Sequence, residues 1–587
     1  MPNEFPALLV SRRRRETGAG WAGARSWLGG APRLGAIGWP RSSKGTPLHF
    51  VAQLDLSDIA AVSGATSLPA TGSLAFFISP DSPVVFVPQA TSTPTLPPAD
   101  TPDLGDAGAS EAWRTDLSGR PLFPYWPVDF TKLDVTPPPG DDYDEAYDAF
   151  VAAQIAAVET HFPRREYHLS PEQAFAGPPI PDWWQTAIHY AAYLEKAVRG
   201  APGAVKRDED MLDYTQKKLA EARAQGGDVK KAEAAVAMYQ SKLAKLHELE
   251  PVLRAFAEQV ARFAEGRDPW ALMTADDMAG LAALWARNRE FDRFHSNSGN
   301  FPIDYLKKEM FKALPPLASD EFAAFPARVR DLVSEKRAPR PQWWFMAVHY
   351  VKRLQEAVRL GVPNASAFRQ KNLAAYRKRL DELQPKESRG IFGRKSAPKG
   401  NDVVAIEASI AKTEAELVDV RRLAPVFEAF VREVAAWAEG RDPWTLMADA
   451  DVEELKTRMK RAKEEFGAFA SYLAPARIND LEALTLRTMA TADERGYAAL
   501  PESVRAFINR NCLLPSGSWH QMFGRGVEIQ GASSAMREEG YVLLLQLVAD
   551  DMMEWSFGDN GAYQFWISPS DLARRNWSGV KMTFECH

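Results

Sequence analysis

Apolar and polar positions change rhythm twice along this chain. Between residues 20 and 90 the apolar residues come in short runs broken by glycine, proline and turn residues. Leu48–Leu56, Leu74–Ile78 and Val84–Val87 each have strand length. The same rhythm resumes at about residue 511, with Tyr541–Val548 and Tyr563–Ile567 as strands and Gly558-Asp559-Asn560-Gly561 as a turn between them. From about 141 to 510 the apolar positions instead recur at helical spacing beneath dense Lys/Glu faces. There Asp208–Gln225 and Val229–Glu250 predict an antiparallel helical hairpin, broken at Gly226-Gly227, with Asp228 capping the second helix. Residues 88–140 are rich in Pro, Thr, Asp and Gly and read as a linker.

The helical stretch occurs twice. Pro181-Asp182-Trp183-Trp184, with His189-Tyr190, Leu194 and Ala197-Val198-Arg199, returns at one constant offset as Pro341-Gln342-Trp343-Trp344, with His349-Tyr350, Leu354 and Ala357-Val358-Arg359. Gly266-Arg267-Asp268-Pro269-Trp270 returns as Gly440-Arg441-Asp442-Pro443-Trp444, and Val329-Arg330 as Val504-Arg505, both at a longer offset. The second copy therefore carries extra residues between its blocks. A tandem duplication of a helical unit accounts for this. The Gly-Arg-Asp-Pro-Trp segment predicts helix punctuation: a left-handed glycine ends one helix, and the aspartate caps the next with proline at its first position. Residues kept between the copies are mostly apolar, which ties the repeat to architecture. The copies differ most at the turn from Pro385 to Asp402, where Arg389, Ile391, Phe392, Arg394 and Lys395 form a basic, partly apolar set suited to docking a partner.

Length and charge narrow the picture further. At 587 residues the chain needs two to four structural units, and a net charge of -6 argues against a generic nucleic-acid binder. Two cysteines, Cys512 and Cys586, exclude both a disulfide framework and a four-cysteine zinc site, which fits a reducing cytoplasm. No apolar run approaches the roughly 18 to 20 residues that span a bilayer. Arg12–Arg15 read as a solvated strand or loop edge.

The two β-like ends carry a resemblance. Ser26-Trp27-Leu28-Gly29-Gly30-Ala31-Pro32, Phe50–Leu56 and Gly72–Phe77 resemble the N-terminal half of the YwqG-like domain. His520-Gln521-Met522-Phe523-Gly524, Leu543–Gln546, Phe557–Gly561 and Phe565-Trp566-Ile567 resemble its C-terminal half. The family consists of bacterial proteins without an assigned activity, so the resemblance implies a fold and a bacterial origin, not a reaction. The halves also echo each other: Gln53-Leu54-Asp55 and Gly72–Pro80 parallel Gln546-Leu547 with Asp550 and Gly561–Pro569. The expected architecture is therefore α+β. A two-lobed, internally duplicated β-rich domain is built from both chain ends (1–140 and 511–587) and split by helical repeats at 141–335 and 336–510.

Candidate chemistry is sparse. No Walker pattern, dinucleotide fingerprint or nucleophile elbow is present, so no catalytic residue, cofactor or metal site is assigned. Asp550, Asp551, Glu554 and Asp559 lack metal-ligand spacing, and His189 and His349 read as core histidines. His520, Gln53, Gln546 and Asp559 are the candidate ligand contacts for a cleft between the β lobes. The leading expectation is a cytoplasmic scaffold that binds an unknown protein partner through the helical insertion. A small-ligand binder or enzyme using the lobe cleft is the alternative, and a toxin-neutralising protein a weaker one.

Overall fold

The computed structural model describes every residue except 1–5, 19–20, 22, 65–67, 80–82, 90, 103, 105–120, 136–144, 163–168, 295–301, 384–399, 471–476, 492–493 and 516, with backbone alone at 145–147, 400–402 and 470. The chain divides into two compact units. The first joins residues 1–175 to 340–587, and the second spans 176–339.

The first unit is built on a ten-stranded antiparallel sheet. Its strands are β1 (Leu8–Arg12), β2 (Trp27–Leu28), β3 (His49–Asp55), β4 (Ser73–Ile78), β5 (Val84–Val87), β6 (Trp126–Lys132), β7 (His520–Met522), β8 (Val542–Val548), β9 (Ala562–Ile567) and β10 (Lys581–Glu585). Their order is β10-β9-β8-β7-β1-β6-β2-β3-β4-β5. Four strands from the C-terminal end thus mirror four from the N-terminal end about a central β1–β6 pair. The register carries the same symmetry. β3 and β4 slip by one residue between Phe50 and Ala52, and β8 and β9 slip between Leu543 and Leu545, at matching positions. Phe76 and Phe565 are equivalent in the two halves, and their rings meet edge to face at 5.1 Å. One apolar core therefore fills the junction of the two lobes, drawing Leu54, Leu74 and Phe76 from one side and Leu545, Leu547 and Phe565 from the other.

β6 lies inside the stretch that reads as a linker by composition. Its Pro127 lacks an N–H, but the proline carbonyl accepts from Arg13 N at 2.8 Å, so the strand tolerates it. The basic run also departs from expectation. Arg12 and Arg15 are buried, and only the side chains between and beyond them reach water.

Both helical copies contain the same succession of elements. In copy 1, the helices Gln185–Gln225 and Val229–Ala264 form the hairpin; Gly226 takes a left-handed φ of 73°, and Asp228 accepts from Lys231 N at 3.0 Å. Pro251 sits inside the second helix without ending it. The punctuation differs in one respect from expectation. Gly266 (φ 69°) and Gly440 (φ 73°) are left-handed, but Asp268 and Asp442 accept from Trp270 N and Trp444 N in tight turns. In copy 1 the next helix, Ala275–Arg287, is capped later by Thr274 and Asp277. Copy 2 holds one extra residue early in its first helix: His349 and Pro363 lie one position further apart than their counterparts His189 and Pro202. The insertion is absorbed as a π-helical turn over Ala357–Gly361.

Candidate functional site

The glutamines that sequence singles out are both buried and each bound to loop backbone. Gln53 Oε1 accepts from Arg33 N at 2.7 Å, and its amide donates to Ser73 Oγ at 2.7 Å. Gln546 Oε1 accepts from Val527 N at 2.6 Å, and its amide donates to the Trp519 carbonyl at 3.1 Å. Arg33 and Val527 occupy equivalent places, so each glutamine fastens the loop that follows β2 or β7. A Cβ at Gly526 would lie 2.8 Å from Gln564 Nε2 and 3.1 Å from Gln546 Oε1, which explains a glycine there. Gln53 and Gln546 sit in opposite halves and do not meet in one cleft.

His520 belongs to a sealed ionic cluster. Its Nδ1 accepts from Val548 N at 3.1 Å, which leaves Nε2 to donate to Asp550 Oδ2 at 3.0 Å. Asp550 also pairs with the Arg12 guanidinium, which donates in addition to the carbonyls of Cys512 (2.6 Å) and Leu514 (2.8 Å). Burial lowers the His520 pKa against the pull of Asp550, in keeping with a neutral ring. Burial pushes Asp550 up, but Arg12 and His520 outweigh it and hold the carboxyl below its ordinary range. Cys512 comes close through its backbone, yet burial pushes its thiol up to about 12. That thiol is no nucleophile at neutral pH. His520, Asp550 and Arg12 are all within 2% of full burial, so the histidine–aspartate pair has no path to substrate. It locks β1, β7 and the end of β8 together. Ser26 holds the equivalent place in the other half, where it accepts from Asp55 N at 2.9 Å and donates to Asp58 at 3.0 Å. Asp559 is exposed in its turn, with its carbonyl accepting from His587 N at 3.1 Å. The docking set Arg389, Ile391, Phe392, Arg394 and Lys395 lies outside the described residues.

Open pockets lie elsewhere among the described residues. In the first unit, about 420 Å³ is lined by Ser170, Glu172, Arg477, Asn479, Arg487 and Asp551. Behind it Arg340 ties Glu172 (3.7 Å) to the fully buried Glu482 (3.1 Å). Burial pushes Glu482 up to about 7, with Arg340 pulling it down. In the second unit, about 530 Å³ is lined by His189, Tyr193, Lys196, Trp285, Tyr305, Glu309 and Lys312. Burial lowers the His189 pKa against Glu309. Of the residues lining this second pocket only His189 stood out in the sequence, as one of a repeated pair. The rest come from helices far apart in the chain, at positions where the copies diverge.

The matched part of the chain follows this geometry. Residues 26–95 and 424–586 match the model of a domain of unknown function (DUF1963). The matched segments hold β2–β5, β7–β10 and the later helices of copy 2. All of the second unit falls in the unmatched stretch between them. No curated protein matches the chain.

Proposed function

We propose that this is a binding protein whose first helical copy faces a protein partner, while its second copy serves as part of the DUF1963-like body. The carrying observation is that one scaffold is used in two ways. Copy 2 shares one of its two cores with the sheet, with Trp343, Leu486, Met489, Tyr497, Val504 and Ile508 all joining the sheet's apolar cluster. Copy 1 closes on itself and keeps an aromatic and cationic pocket open. The reading includes a YwqG-like identity for the sheet domain and a bacterial cytoplasm as its setting. Two free cysteines, one of them buried, support a reducing compartment. Cross-linking of the full-length protein in extract of its source cells, read by mass spectrometry, tests the proposal. Links to a second protein should concentrate in residues 176–339. Links confined to the sheet domain would sink it.

The rival reading, a small ligand or substrate between the β lobes, has less support. That junction is packed with side chains, and His520, Gln53 and Gln546 are consumed by internal hydrogen bonds. A ligand in the first unit has better access to the pocket of about 420 Å³ beside Arg477 and Arg487. Thermal-shift screening with small anions separates this reading from the first.

A further inference from the structure

The two helical copies present corresponding faces, and the chain itself shows what one of them binds. Aligned on the repeated Trp-Trp block, His189, Tyr193 and Lys196 correspond to His349, Arg353 and Glu356. Aligned on Val329 and Val504, the residues Leu306, Lys312 and Ala313 correspond to Leu481, Arg487 and Thr488; the two leucines are buried in matching cores. In copy 2 this face is covered around Arg353 and Glu356, while Arg487 at its edge also lines the open pocket of the first unit. Arg353 and Glu356 are buried and paired at 3.5 Å, and His349 Nε2 meets Thr488 Oγ1 at 3.1 Å. What lies against it is the acidic turn after β8. Arg487 Nη1 reaches the Asp551 carbonyl at 3.5 Å, and Glu554, itself buried, acts on the charge of Arg353.

In copy 1 the same face is open. Ala313 leaves His189 without the hydroxyl that His349 has. Lys196 is exposed and makes no ion pair among the described residues, while Lys312 is exposed and pairs with Glu309 at 2.7 Å. Tyr193, Trp285 and Tyr305 provide apolar walls of a kind that anchors interfaces.

We propose that the copy 1 pocket docks a carboxylate-bearing turn of a partner protein, the counterpart of the turn that copy 2 holds within its own chain. Lys196 meets one carboxylate, Lys312 exchanges Glu309 for a second, and the rings take the apolar residue between them. This rests on the reading of copy 1 as the partner-facing unit.

The probe is a labelled, backbone-cyclised peptide carrying Asp550–Trp555, titrated into the full-length protein at low and moderate salt. The expected result is saturable binding that weakens with salt and drops roughly tenfold or more in K196E/K312E. Lys196 and Lys312 are exposed, and an unchanged melting curve confirms that the variant folds. No binding, or binding indifferent to the double substitution, overturns the proposal. So does succinate binding as tightly as the peptide, which would make the pocket a small-anion site. Failure here alongside cross-links elsewhere in 176–339 sinks this inference alone, whereas an absence of such links sinks the wider reading.

Discussion

Trp183 and Trp343 hold the same place in two copies of one helical unit, and they belong to different cores. Trp183 packs with Met310, Phe311, Leu314, Phe322, Val329 and Val333 in a small cluster that copy 1 completes alone. Trp343 shares a cluster with the counterparts of five of those residues, Leu486, Met489, Tyr497, Val504 and Ile508, absorbed into the core of the ten-stranded sheet, while Met310 is replaced by the polar Thr485. The polar fittings follow the same division. In the second unit, which runs on to residue 339, Arg337 donates to the carbonyls of Phe311, Leu314 and Pro315 at 2.6 to 2.9 Å. In copy 2, Arg15 comes from beyond β1 to donate to Ala490, the counterpart of Pro315, at 2.8 Å and stacks between Trp21 and Tyr497. A single helical design therefore stands alone when it supplies its own arginine, and merges with a sheet when the sheet supplies one.

The largest expected break in this comparison is Asp550→Ala. It leaves the buried Arg12 and His520 without their carboxylate, and the first unit should lose about 3–5 kcal/mol. Hydrogen exchange resolved by mass spectrometry should show that loss in the sheet while protection in 176–339 stays unchanged; equal loss in both would erase the distinction. Next comes Phe322→Ala, expected to remove about 3 kcal/mol from the second unit alone. Tyr497→Ala, its counterpart, should instead loosen the sheet around Arg15, whose carbonyl takes the Tyr497 hydroxyl at 2.8 Å. Gln546→Leu orphans Val527 N and should cost about 1–3 kcal/mol, and Gln53→Leu should match it in the other half. Chemical denaturation of the two variants measures that equality, and a wide gap would mean the lobes have diverged in function.

The last effect concerns the shape of a pH curve. Glu482 keeps its proton in the folded state up to about 7, against 4.5 for the free side chain. Its raised value favours folding fully below 4.5, and that contribution is lost as pH climbs to about 7. Copy 1 has Lys307 at this position, paired with Asp304 at 3.2 Å and also with Asp182. Subtracting the stability curve of Glu482→Gln from that of the parent should isolate a downward slope across this window in the first unit only. A flat difference would contradict the assignment.

Much of this architecture was legible in the chain. The duplication, the hairpin turn at Gly226 and the strands β3, β4, β5, β8 and β9 follow from periodicity and from glycine, because each depends on neighbours close in sequence. β6 was hidden by its proline and the composition around it, since only pairing with β1 and β2 makes it a strand. Arg12 looked like a surface charge because its partners, Asp550 and the carbonyls of Cys512 and Leu514, come from the far end of the chain. The open pocket of copy 1 was hidden for the opposite reason. Nothing in a repeat marks a face as vacant until the other copy shows it filled.

The position of β1 bears on how the chain is made. Leu8 pairs with Met522, so the strand at the centre of the sheet emerges from a ribosome long before the strand beside it. At roughly 5–20 residues per second, that wait is roughly 25 to 100 s. Residues 176–339 can complete their own cores early in that interval. The apolar residues of β1 to β6 cannot, and through most of synthesis they remain half a sheet with its late partner strand still missing.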